Sequence, residues 1–158
     1  MSLVLNYLFM GSQALLKRIP KLRGQVMLII TPFYAALLAL FYVGLSFNVI
    51  RHRFQFKQSL GTGGEQRLQK MIRMHGNFSE YVPLIIIMMS FLEMGGNSSK
   101  YVIHGFGVLI LIGRIAHAYG LGREKSPNPF RVVGMLSTFS CMIGLSIRLL
   151  MLALEKGI

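Results

Sequence analysis

Tryptophan is absent, cysteine occurs once, and only five of the 158 residues are acidic. Each shortage excludes something. A single cysteine, Cys141, cannot form an internal disulfide framework or a CxxC pair, and its apolar neighbours fit a buried thiol. Charged residues make up 14% of the chain, against roughly a quarter in ordinary soluble domains, so the composition is not that of a soluble enzyme. No Ser-His-Asp set is present. The GTGG at 61–64 has neither the lysine nor the strand context of a phosphate loop and reads as a flexible turn. His52, His75, His104 and His117 are scattered without carboxylate support, so no metal site is expected.

What the chain has is apolar length. Hydrophobic residues account for 53% and the mean hydropathy is +0.56. A helix needs about 20 mostly apolar residues to cross a hydrocarbon core, and four segments reach or approach that length: residues 26–50, which carry no charge, 78–94, 101–121 and 130–154. Turn residues separate them, in GTGGEQ at 61–66, GGNSSK at 95–100 and REKSPNPF at 123–130. The expectation is an all-α integral membrane protein whose domain, residues 26–158, is an antiparallel four-helix bundle. Residues 1–25 form an N-terminal extension too short in apolar residues to cross, with Lys17, Arg18, Lys21 and Arg23 at its end. No small-residue cleavage site follows, so it reads as an interfacial helix rather than a signal peptide.

Seventeen lysines and arginines give a formal net charge of +12. They cluster where spans meet headgroups, which fits anionic lipid rather than nucleic acid. With four spans, the first and third loops share a face holding Arg51, Arg53, Lys57, Arg67, Lys70, Arg73, Arg123, Lys125 and Arg131. The opposite face has Lys100, Lys156 and the basic N-terminal stretch. The positive-inside bias therefore puts the first and third loops in the cytoplasm.

The chemistry gathers on that face. At 100° per residue, Arg73, Asn77 and Glu80 form a stripe one side chain wide, just before Pro83. Ionised groups at membrane depth normally pair and face an interior. Two readings follow: an intrahelical Arg73–Glu80 clamp bridged by Asn77, or a polar floor for a charged ligand. A second group, Arg114 and His117, lies one helical turn apart in GRIAHAYG at 113–120, and Arg131 opens the fourth span. Guanidinium groups suit capture of carboxylate or phosphate, and several around one pocket would form an anion site.

The order R-x-x-x-N-x-x-E-x-x-P at 73–83, in a four-span chain with G-R-x-x-H at 113–117, resembles the MAPEG family, the membrane-associated proteins in eicosanoid and glutathione metabolism. The likeness is closest to its small bacterial members and to microsomal glutathione transferase and prostaglandin E synthase relatives. It covers about residues 26–154. The resemblance implies a homotrimer in a bacterial inner membrane, with glutathione bound between subunits near the cytoplasmic face. Arg73, Asn77 and Glu80 would hold the tripeptide, Arg114, His117 and Tyr119 would wall the site, and Arg131 would be the catalytic arginine that stabilises the thiolate. The chemistry agrees. Glutathione carries two carboxylates and an ammonium, which arginines and one carboxylate complement. A cation beside sulfur raises the thiolate fraction, the nucleophilic form.

There are departures. Where the eicosanoid enzymes have a serine just after that arginine and a tyrosine four residues after it, this chain has Val132 and Met135. RVVGM supplies no hydroxyl beside the thiol, which argues against prostaglandin or leukotriene synthesis. Two functions stay open: a glutathione-dependent transferase or peroxidase acting on lipophilic electrophiles delivered from the bilayer, or a non-catalytic lipid- or glutathione-binding scaffold of the same fold.

Overall fold

The computed structural model describes residues 27–96, 98–123 and 128–157; the N-terminal extension expected to be an interfacial helix lies outside the described residues. Four helices account for nearly all of them: α1 Ile30–Phe56, α2 Gln66–Met94, α3 Lys100–Gly122 and α4 Pro129–Glu155. All four are long and apolar enough to cross a membrane. The chain is an all-α four-helix membrane bundle.

The helix bounds differ from the apolar segments in an instructive way. Helix α2 begins at Gln66 rather than at residue 78, because Gln, Arg, Leu, Lys and Met are all good helix formers and hydropathy registers only the greasy part. Its buried residues Leu68, Met71, Met74, Phe78, Val82, Ile85 and Met89 recur every three or four positions, one face throughout. Helix α1 starts four residues later than residue 26 and runs past Ile50 to Phe56. The connection between α1 and α2 is therefore short, and Gly61, Gly63 and Gly64 take positive φ there. Helix α4 opens on a side-chain cap, with Asn128 Oδ1 accepting the Phe130 N–H at 3.0 Å and Pro129 at the first helical position.

Contacts along the helices give the directions. Ser46 of α1 meets His75 of α2 while Ile30 meets Glu93; Asn77 of α2 meets Arg114 of α3. Consecutive helices run antiparallel. Helices α2 and α3 sit centrally, α1 and α4 each pack on both of them, and among the described residues α1 and α4 do not approach each other.

Lipid is as apolar as leucine, so tight packing rather than hydrophobic burial must hold membrane helices together. Helices α3 and α4 achieve it through glycine. A Cβ on Gly134 would lie 2.6 Å from the Gly113 carbonyl and 2.6 Å from the His117 backbone nitrogen, and one on Gly120 would run into the Arg131 backbone. This close approach carries Arg131 up against the end of α3. Outward, Leu40, Phe47, Ile112, Ile143 and Leu150 present large exposed apolar side chains, the surface a bilayer requires.

Two buried polar devices lock the bundle. Glu93, near the end of α2, accepts backbone N–H groups from Ile29 and Ile30 at 2.9 Å each and from Thr31 at 2.8 Å. Helix α1 has no side-chain cap of its own, so a carboxylate from another helix satisfies its first-turn donors. The second device is Arg114, described below.

Candidate functional site

A cleft of about 400 Å³ opens between α2, α3 and α4 at the end of the bundle that carries the first and third loops. Gln66, Gln69, Lys70, Arg73 and Asn77 line it from α2, His117 and Leu121 from α3, and Arg131 and Met135 from α4. Four of the seven residues picked out by sequence converge here: Arg73, Asn77, His117 and Arg131. Three cations, Lys70, Arg73 and Arg131, surround one hollow. The imidazole of His117, with the residue only 4% exposed, forms part of the wall.

The remaining three take other places. Glu80 pairs with Arg73 at 3.5 Å, and both side chains are outward, 48% and 60% exposed. The ionic clamp along α2 thus exists, but Asn77 does not bridge it. Its Oδ1 instead accepts from Arg114 Nη1 at 2.8 Å. Arg114 is 2% exposed and sits behind the cleft, where Nη2 donates to the Gly134 carbonyl at 3.1 Å and to Thr138 Oγ1. Thr138 in turn donates its hydroxyl to the Gly134 carbonyl at 2.8 Å. One buried guanidinium therefore joins α2, α3 and α4, with no carboxylate partner among the described residues. Tyr119 lies outside the cleft lining, edge-on to Phe130 with ring centroids 5.1 Å apart and the Arg123 guanidinium 4.5 Å from its ring centre.

Sequence reasoning passed over Gln66 and Gln69. The signal was present, since positions 66, 69, 70, 73, 77 and 80 share one helical face; it was missed because helical periodicity was followed back only as far as Arg73.

A larger hollow of about 500 Å³ lies beside the α1–α2 connection, lined by Ile50, Arg53, Phe54, Lys57, Gln58 and Ser59. Its arginine is committed, because Arg53 Nη1 donates to the carbonyls of Gln58, Ser59 and Gly61 at 3.1–3.3 Å. The cleft between α2, α3 and α4 brings cations from two helices together, although Lys70 Nζ also donates to the Arg123 carbonyl at 3.2 Å and Arg73 pairs with Glu80.

Four spanning helices, three of which line an arginine-bearing cleft at one end of the bundle, define an integral membrane protein. The MAPEG family profile matches residues 31–151, and the chain belongs to that family. It is 41% identical over 114 residues to the inner membrane protein YecN of Escherichia coli K12, a stretch covering 72% of this chain and 85% of the relative. The YecN protein of E. coli O6:H1 matches with the same identity and coverage.

Proposed function

We propose that the protein is a glutathione-dependent transferase or peroxidase of the inner membrane, working on lipophilic electrophiles or hydroperoxides. The observation that carries the reading is the cleft itself, which Lys70, Arg73 and Arg131 line together with Asn77 and His117. Family membership supports glutathione as the ligand, and the name of the E. coli relatives supports the inner membrane. In this reading Arg73 and Lys70 hold the tripeptide's carboxylates, Asn77 and His117 supply polar contacts, and Arg131 stabilises the thiolate. The sulfur then attacks an electrophilic carbon and displaces its leaving group. With a hydroperoxide, two glutathiones are oxidised to the disulfide while the peroxide becomes an alcohol and water.

The exposed Arg73–Glu80 pair supports a homotrimer with the site at its seams. Tyr42, in the uncharged part of α1, stacks on Phe78 at 5.1 Å, so Glu80 lies level with the hydrocarbon region. A charged pair facing lipid at that depth costs several kcal/mol. Cover from a second copy removes the cost and places Glu80 where it can meet the ligand's ammonium. Tyr119 then stands at the outer mouth. The positive charge of the first and third loops puts the site on the cytoplasmic side.

A second reading rests on Met135, whose thioether lines the cleft where a hydroxyl would assist the thiol: the chain binds glutathione or lipid without turnover. The deciding experiment is a steady-state assay of the detergent-purified protein with glutathione and either a chloronitrobenzene or a lipid hydroperoxide, alongside Arg131→Ala. Turnover lost in the variant supports catalysis. Glutathione binding with no turnover above background leaves the scaffold, and no binding at all refutes both glutathione readings.

A further inference from the structure

We infer that Arg114 is a positioning residue, which fixes the amide of Asn77 so that the cleft offers a hydrogen-bond donor, and therefore accepts a carboxylate or carbonyl oxygen, at that point. The inference rests on the glutathione reading above and adds the polarity of one subsite and the residue that sets it.

An asparagine side chain has two ends of nearly equal shape, one accepting and one donating. Nothing intrinsic to Asn77 decides which end meets the ligand. Arg114 decides it, because a guanidinium has only donors and never loses its charge in a protein. Its Nη1 lies 2.8 Å from Asn77, so the atom facing it must be the carbonyl oxygen. The amide NH2 is thereby turned away from Arg114. Asn77 lines the cleft, and among the described residues its one side-chain hydrogen bond is that from Arg114 to Oδ1, which leaves Nδ2 without a partner there.

Arg114 cannot swing away to permit the opposite arrangement. It is 2% exposed, and Nη2 is held by the Gly134 carbonyl and by Thr138, whose own hydroxyl proton is committed to that same carbonyl. Nor does a carboxylate neutralise it; among the described residues the single ion pair is Arg73–Glu80. Asn77 is thus polarised from behind by an unneutralised cation, which strengthens its outward N–H groups as donors. Arg114 acts on the ligand without touching it.

The test uses the full-length protein in detergent, with glutathione titrated by calorimetry and the side-chain amide of Asn77 followed by NMR after selective asparagine labelling, its signal assigned from its loss in Asn77→Asp. On addition of glutathione to the wild type, the Asn77 NH2 resonances shift. In Asn77→Asp the outward donor becomes an anionic acceptor while the contact with Arg114 is kept, so affinity falls at least tenfold and the melting temperature holds or rises. In an Arg114→Gln background, where the asparagine amide is free to turn over, the further loss caused by Asn77→Asp is smaller than in the wild type. Glutathione binding that leaves the Asn77 amide signal unmoved overturns the inference, as does an Asn77→Asp variant that binds as tightly as the wild type; both leave the glutathione reading intact. A wild type that binds no glutathione refutes that reading and this one with it.

Discussion

Glu93 Oε2 accepts the backbone N–H of Thr31 at 2.8 Å, so the last turn of α2 closes the first turn of α1. The Glu93 carboxylate takes three such donors in all. Replacing it with alanine leaves the buried N–H groups of Ile30 and Thr31 without an acceptor, and at about 1–3 kcal/mol for each the loss of stability should be about 2–6 kcal/mol. Thermal unfolding of the purified protein checks this. Because the cap lies at the end of the bundle remote from the cleft, glutathione affinity should be unchanged, and an unaltered melting temperature would show the cap to be idle.

Gly134 faces the Gly113 carbonyl and the His117 backbone, which leave no room for a β-carbon. Gly134→Val should push α4 away from α3 and lower stability by about 1–3 kcal/mol, the usual range for overpacking. The same movement carries Arg131 away from His117, so activity should fall at temperatures where the variant is still folded. A variant with a wild-type melting curve and full turnover would mean that the two helices are not held by this contact.

The Arg73–Glu80 pair lies on the outer side of the single chain and takes no part in the packed core of the bundle. Arg73→Ala and Glu80→Gln should therefore leave the protomer's fold nearly untouched. Each should weaken glutathione binding by about 1.5–3 kcal/mol, the range for hydrogen bonds to charged groups. Calorimetric titration compared with the melting curve separates the two effects. Binding as tight as the wild type in both variants would reduce the pair to a brace along one helix.

How far the sequence carried depended on whether the determining signal was local. Four spans were legible because lipid exposure demands runs of apolar residues. Helix α2 was legible as an apolar span from residue 78 and as a helical stripe back to Arg73, but not from Gln66, since its first two turns are helical by propensity and packing without being greasy. Arg73, Asn77, His117 and Arg131 could be placed together because helical periodicity and family likeness agreed. The partners of Asn77 and Glu93 were out of reach. Arg114 lies 37 positions along the chain from Asn77, and Thr31 lies 62 from Glu93. Periodicity along one helix says nothing of which neighbour a side chain meets, and so an Asn77 bridge within α2 was as reasonable as the contact with α3. Arg148 likewise gave no sequence signal, although its Nη2 reaches Ser98 in the α2–α3 turn at 3.5 Å.

The separation of α1 from α4 has a consequence for how disturbances spread. Within one chain the cleft draws its lining from the other three helices, so a change on α1 reaches Arg131 of that chain only by displacing one of the two middle helices. Drift in sequence along the outward side of α1 is thereby insulated from the cleft of the same chain, whereas equal drift on α3 is felt on both flanks at once.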